Sequence, residues 1–280
     1  MTTHPINDHA ASAAQPDDAP AAPSDAPPLA GPTRHAVIDL LYRIADDELV
    51  IGHRDSEWTG LAPILEEDIA FSSMAQDEMG HAQTFYRLLH DLGEPDPDTL
   101  AFGRSPGEFR CASLVCLPNG DWAFSLLRQF LYDSAESVRL AVLADSTYAP
   151  LAHVARKLRS EEKYHLLHGR TWILRVGAAT DESHRRMQSA LDLAYPHALG
   201  LFEPTDADET LAQARVCPRE HDLSRQWESA VAPVLVDAGL TVPTNVEPHY
   251  GGRHGRHSDA LATLLRGMQL VYSADPTADW

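Results

Sequence analysis

The sequence predicts an all-α protein, a ferritin-like four-helix bundle with additional C-terminal helices. Three observations predict it. Four long segments carry apolar residues at helical spacing, the connections between them run short, long, short, and an acidic residue or a Glu-x-x-His interrupts the apolar row of each segment.

The first helix is expected from about Ala36 into the mid-fifties, with Val37, Leu41, Ile44, Glu48 and Ile51 on one face. The second is expected from Pro63, a favourable first-turn residue, to Leu92, where Gly93 and Pro95 end it. The third follows Pro118-Asn119-Gly120-Asp121 and reaches about Ala144, and the fourth runs from about Pro150 to Gly177. Short turns near Ser56–Gly60 and Ser146–Pro150 make two hairpins. The Gly- and Pro-containing stretch between the second and third helices makes one long crossover. Two antiparallel hairpins joined by a crossover are the ferritin-like arrangement. Further helices are expected near Glu182–Ala198, Arg219–Ala238 and Ser258–Ser273.

Residues 1–32, rich in Ala, Pro and Asp, lack the large apolar side chains that would offset the entropy of ordering. They are expected to be a disordered tail, and residues 33–280 the helical domain. The tail has neither the basic start nor the apolar run of a secretory signal, and no stretch is long and apolar enough to span a membrane. Three cysteines, an odd and sparse count, fit a reducing cytoplasm. Cys111 and Cys116, with no second pair nearby, are expected to be inert or buried thiols rather than a zinc site. The net charge of -19 repels phosphate backbones and argues against nucleic acid as a partner.

A lone Glu-x-x-His is a weak signal in a chain with 15 histidines. Placement gives Glu78-Met79-Gly80-His81 and Glu162-Lys163-Tyr164-His165 their weight. The first lies in the row Phe71, Met74, Glu78, His81, Phe85, Leu89, Leu92. The second lies in Leu151, Ala155, Leu158, Glu162, His165, Gly169, Trp172, Val176. A buried carboxylate must be neutralised or find a cation. Glu48 on the first helix and Glu136 on the third complete the pattern Glu, Glu-x-x-His, Glu, Glu-x-x-His. That is the ligand set of a carboxylate-bridged two-metal centre, with iron the leading cation and manganese the next. Asp133, one turn before Glu136, is the alternative ligand on the third helix, or else a residue that orients a ligand histidine. His53, His90, His153, His168 and His197 are expected to be surface or satisfied core residues. Arg104, Arg110, Arg128 and Arg139 are expected in surface ion pairs rather than on an acyl-CoA phosphate, and Gly251–His257 is expected to be a plain turn before a helix capped at Ser258.

Loop and terminal residues carry a resemblance. Ala45-Asp46-Asp47, Leu49-Val50, Ser56-Glu57-Trp58, Leu65-Glu66, Asp68-Ile69-Ala70, Thr99-Leu100-Ala101-Phe102, Pro118-Asn119-Gly120, Arg128-Gln129, Tyr164-His165-Leu166 and Met268 through Trp280 resemble the PaaC-type subunit of the multicomponent phenylacetyl-CoA epoxidase. The resemblance covers about 35–280. It implies a ferritin-like fold, an oxygen-dependent di-iron monooxygenase complex acting on an aryl-CoA, a PaaA-type catalytic subunit as mate, and a reductase that passes electrons from NADPH. In that family the active site lies in the PaaA-type subunit, and the PaaC-type subunit is a scaffold that has typically lost several ligands. This chain departs from that pattern, because Glu48, Glu78, His81, Glu136, Glu162 and His165 are all present. The chain has no Gly-rich dinucleotide motif and no cysteine cluster for iron–sulfur ligation, so electrons must come from elsewhere.

Overall fold

The computed structural model describes residues 29–278. Most of the expected tail, residues 1–28, lies outside them. The first helix, α1, spans Gly31–Ser56 and so takes in the last two residues assigned to that tail. It is followed by α2 (Leu65–Asp91), α3 (Pro97–Phe102), α4 (Ser113–Cys116), α5 (Trp122–Leu143), α6 (Ala149–Gly177), α7 (Asp181–Leu199), α8 (Asp208–Gln213), α9 (Glu220–Asp237), α10 (Asp259–Met268) and α11 (Leu270–Ala274). No strand occurs among the described residues.

The bundle is the pair of hairpins α1–α2 and α5–α6, joined by the long crossover that holds α3 and α4. Local chemistry sets the helix ends. Glu66, Glu67 and Asp68 stand in the first turn of α2, where the helix dipole favours negative charge. The Asp121 carboxylate accepts from the Phe124 amide at 3.0 Å and caps α5. Thr180 caps α7 through the Ser183 amide at 3.0 Å. Pro63 lies in the turn before α2 rather than in its first turn. The last expected helix is broken at Gln269, whose side-chain amide donates to the Arg104 carbonyl at 2.6 Å.

Helix α7 packs on α5 and α6, and α9 packs on the same pair. Trp227 of α9 is fully buried, its indole N–H donating to the Leu131 carbonyl at 3.0 Å. The buried rows on α1, α2 and α6 are the rows the sequence assigns to the core, with Leu92, Trp172 and Val176 only partly covered. Gly52 lets α1 approach α2 closely, since a Cβ there would stand 3.1 Å from Glu78 Cβ and 3.2 Å from the Ala75 carbonyl. No helix among the described residues is long and apolar enough to cross a membrane.

The arginines expected at the surface are instead interior, Arg110 being only partly covered. Arg104, Arg128 and Arg139 are buried and paired with Asp46, Asp55 and Glu220. The partners lie far along the chain, and an ion pair closed between distant segments leaves no mark on local hydrophobic spacing.

Candidate metal centre

Three consecutive acidic residues on α1 are all buried, and each meets a different fate. Asp46 pairs with Arg104 and accepts from the Tyr86 hydroxyl at 2.7 Å and the Arg110 amide at 2.6 Å. Asp47 pairs with Arg253 at 2.7 Å and accepts from the Ala112 amide at 2.7 Å. Glu48 is paired with no arginine, and neither oxygen has a hydrogen-bond partner. It points into the centre of the four-helix bundle, towards His81 Nδ1 at 3.6 Å.

There it meets the two Glu-x-x-His elements. Glu78 lies 3.5 Å from His81 Nδ1 through one oxygen and 3.4 Å from His165 Nδ1 through the other. Glu162 Oε1 stands 3.5 Å from His81 Nδ1 and 3.3 Å from His165 Nδ1. Two carboxylates thus span the gap between two imidazole nitrogens, whose rings are 6.3 Å apart at their centroids. Glu48, Glu78 and His81 cluster at one end of the site, and Glu78, Asp133 and His165 at the other.

Each histidine is oriented by a carboxylate on its outer nitrogen. His81 Nε2 donates to Glu161 at 2.9 Å, and His165 Nε2 donates to Asp77 at 3.1 Å. A carboxylate only accepts here, so Nε2 carries a proton, and in the neutral ring that binds a cation the Nδ1 lone pair faces inward. The sequence pattern offers Asp133 for this orienting role. The structure gives it to Asp77 and Glu161, the residues immediately before Glu78 and Glu162. The signal was an acidic residue preceding each Glu-x-x-His.

On α5 the two acidic residues part company. Asp133 clusters with Glu78 and His165, held by the Gln129 amide at 2.7 Å, which also reaches Glu78 at 3.3 Å. Glu136 is equally buried, but one oxygen accepts from Arg139 at 3.2 Å. Arg139 also pairs with Glu220, which pairs in turn with Arg43. The sequence-favoured Glu136 therefore has an arginine neighbour that Asp133 lacks.

The electrostatics follow from the burial. Burial pushes the Glu48, Glu162 and Asp133 carboxyls upward, and the like charge of Glu78, for the first two, and of Glu162, for the third, adds to it. Burial raises Glu136 to about 7 although Arg139 opposes the shift. Burial works against a charged imidazole, yet Glu78, Glu162 and Glu161 hold His81 up to about 9, and Glu162 and Glu78 lift His165 as well. Without a cation the cluster must retain protons. The orphaned atoms are those a cation would take: both oxygens of Glu48 and Glu162, and one each of Glu78, Asp133 and Glu136, with Nδ1 of His81 and His165. The donor set, oxygens and two imidazoles, could hold metal.

Comparison with known proteins gives the family. Residues 23–280 match the family described as "Phenylacetic acid catabolic protein". The chain is 33% identical over 239 residues to the C component of the 1,2-phenylacetyl-CoA epoxidase of Escherichia coli (strain K12), covering 85% of this chain and 96% of that protein. The chain belongs to the phenylacetic acid catabolic protein family. The match bears out the resemblance carried by the loops and the terminus.

Within this family member, several residues near the centre give no signal in the sequence pattern. Gln129 and Tyr132 sit on the same inward face of α5 as Asp133 and Glu136. The Tyr132 hydroxyl is buried without a partner, and burial with the charges of Glu48 and Glu136 pushes its pKa upward. Among the histidines set aside, His168 is satisfied by Glu67 at 2.9 Å and His197 by the Ser113 hydroxyl at 2.9 Å, while His90 and His153 are exposed. His53 departs from expectation: it is largely covered and its Nε2 has no partner.

Proposed function

We propose that this chain is the PaaC-type subunit of a multicomponent phenylacetyl-CoA epoxidase, and that its bundle holds a carboxylate-bridged pair of iron ions. The carrying observation is the set of inward donor atoms left without partners, together with the carboxylate behind each histidine. The name of the Escherichia coli relative supports the complex and the aryl-CoA substrate.

In this reading Glu78 and Glu162, each near both histidines, would be shared by the metal pair, with Glu48 and His81 supplying ligands at one end and Asp133 and His165 at the other. Four carboxylates then balance two divalent cations, which makes the buried site electrically neutral. Glu136, with Arg139 beside it, stands next to the pair. Manganese would suit the same donors. When bound, an iron pair supplies oxygen activation, with electrons delivered by a separate reductase. The protein's own part is to fix the Nδ1 lone pairs inward through Glu161 and Asp77 and to keep water out. Exposed apolar residues lie on the two helices that carry the Glu-x-x-His elements: Leu65 and Ile69 on α2, and Tyr164 and Leu167 on α6. Glu67 of α2 bonds His168 of α6, so these residues lie on adjoining helices and offer a face for a PaaA-type mate.

A second reading, a metal-stabilised scaffold for a catalytic mate, is favoured by one observation. The ligand residues are between 0% and 3% exposed, so the centre is enclosed within this chain. Elemental analysis of the purified chain tests the shared premise: about two irons per chain are expected, and none after iron loading would sink both readings. In the assembled complex, Glu78→Gln with Glu162→Gln separates them. Lost epoxidation with intact assembly means a catalytic centre, and unchanged turnover means a structural one. Multiple turnovers by the isolated chain without a reductase would refute the subunit assignment.

A further inference from the structure

A second cluster of ligating side chains lies outside the bundle core. Cys111 and Cys116 are buried, with their sulfurs 3.3 Å apart. His257, far along the chain, directs Nδ1 at both, 4.0 Å from Cys111 Sγ and 3.9 Å from Cys116 Sγ. Its Nε2 lies 3.0 Å from the Phe109 carbonyl oxygen, which can only accept. The ring proton is therefore on Nε2, and the Nδ1 lone pair faces the sulfurs. This is the arrangement seen at the main centre: an outer acceptor fixes the tautomer and frees the inner nitrogen.

From this geometry we infer that Cys111, Cys116 and His257 form a separate binding site for a zinc-class cation, one that staples the C-terminal loop to the crossover. A zinc ion bound about 2.3 Å from each sulfur and about 2.0–2.1 Å from the nitrogen would space the sulfurs about 3.8 Å apart and each sulfur about 3.6 Å from nitrogen. The observed separations depart from these by about half an ångström at most, within the reach of small side-chain rotations. Two thiolates and a neutral imidazole balance a dication, as a buried site requires. The described residues supply three ligands, leaving the fourth position to water. Cys116 Sγ also lies 3.3 Å from the Ala112 carbonyl, where its thiol proton sits when no metal is bound. On zinc binding the two thiol protons are released to solvent.

The backbone around the site is held independently of any metal. The amides of Arg110 and Ala112, on either side of Cys111, donate to Asp46 and Asp47 of α1 at 2.6 and 2.7 Å. Arg253 donates to the Arg110 carbonyl at 2.9 Å and pairs with Asp47. Gly252 lies so close to the Cys111 carbonyl that a Cβ would stand 2.3 Å from it. The loop that carries His257 is thus pressed against the segment that carries the thiols, and the three ligands are brought together before the ion arrives. The sequence shows only the cysteine pair, because the third ligand comes from a stretch that reads as a plain turn.

Cobalt(II) titration of the full chain tests the site separately from the bundle centre. Thiolate ligands give cobalt an intense near-ultraviolet charge-transfer band, and the carboxylates and imidazoles of the bundle give none. The band should reach an amplitude equivalent to one thiolate-bound cobalt per chain in the wild type, whatever cobalt the bundle centre also takes up, persist in Glu78→Gln, and vanish when zinc is added. It should be absent from Cys111→Ser/Cys116→Ser, and His257→Gln should weaken binding at least tenfold. If the double variant fails to fold, His257→Gln, a change at a half-buried ring, still decides the matter. No band in the folded wild type would overturn the site, as would unchanged cobalt affinity in His257→Gln. A Cys111–Cys116 disulfide in protein purified under reducing conditions would also overturn it.

Discussion

Glu161 on α6 accepts the Nε2 proton of His81 on α2, at 2.9 Å, so the helix that supplies one Glu-x-x-His orients the histidine of the other. Asp77 on α2 returns the arrangement to His165 on α6 at 3.1 Å. Glu161 and Asp77 are the residues just before Glu162 and Glu78, so one turn of each helix supplies an inward carboxylate and an orienting one. Both orienting side chains are partly solvent-exposed, at 40% and 42%, so substituting them leaves no buried void. Glu161→Gln and Asp77→Asn should therefore preserve helicity and melting of the metal-free chain while lowering iron affinity about ten- to hundredfold. Chelator competition measures this, and unchanged affinity in both variants would mean that the outer carboxylates do not tune the site.

Asp133 and Glu136 should separate cleanly by stoichiometry. Asp133 clusters with Glu78 and His165, while Glu136 has Arg139 beside it. Asp133→Asn should lower bound iron from two per chain towards one. Glu136→Gln should leave the stoichiometry unchanged. The reverse outcome would return the terminal ligand on α5 to Glu136.

Metal should also act on stability. The carboxyls of Glu48, Asp133 and Glu162 are pushed up by burial and by the like charge of neighbouring carboxylates, Glu78 for Glu48 and Glu162, and Glu162 for Asp133, so the metal-free core carries groups that a cation relieves. A ligand at a hundred times its dissociation constant adds about 2.7 kcal/mol. For a chain of this size that is an increase of about 5–10 °C in Tm. Differential scanning calorimetry with and without ferrous iron measures it. Identical melting with and without iron in a protein that retains the metal would argue that the donors are not brought together by the fold.

The parts of this protein legible in its sequence are those that repeat along one helix. The inward rows of α1, α2 and α6, with their acidic and histidine interruptions, are periodic, and burial follows the period. Relationships between distant segments were not legible. Arg139 meets Glu220 across 81 residues and Arg128 meets Asp55 across 73, and both pairs are interior where surface pairs were expected. The short helices α3 and α4 are too brief to show a period, and the crossover around them is fixed by backbone amides donating to Asp46 and Asp47. The choice between Asp133 and Glu136 depends on an arginine one turn further along α5, whose direction local spacing does not reveal.

The packing of the C-terminal loop should respond to acid through His197. Its ring stacks on His249, with centroids 4.1 Å apart, and its Nδ1 meets the Ser113 hydroxyl, which also donates to the His249 carbonyl at 3.2 Å. Burial, with the neighbouring His249 charge adding to it, lowers His197 to about 4. The unfolded chain takes up its proton near the ordinary value of about 6.5. Between those values the unfolded state binds more protons than the folded one, so stability rises with pH across the window. The contribution is fully present above about 6.5 and is lost as pH falls towards about 4. For a half-buried ring screened by solvent, it is on the order of 1 kcal/mol. Denaturant unfolding of the metal-free chain at about pH 7 and about pH 5, either side of the middle of that window, should show this loss. His197→Asn, which does not titrate, should reduce the difference. Equal pH dependence in wild type and variant would show that the stacked pair is not protonated on unfolding.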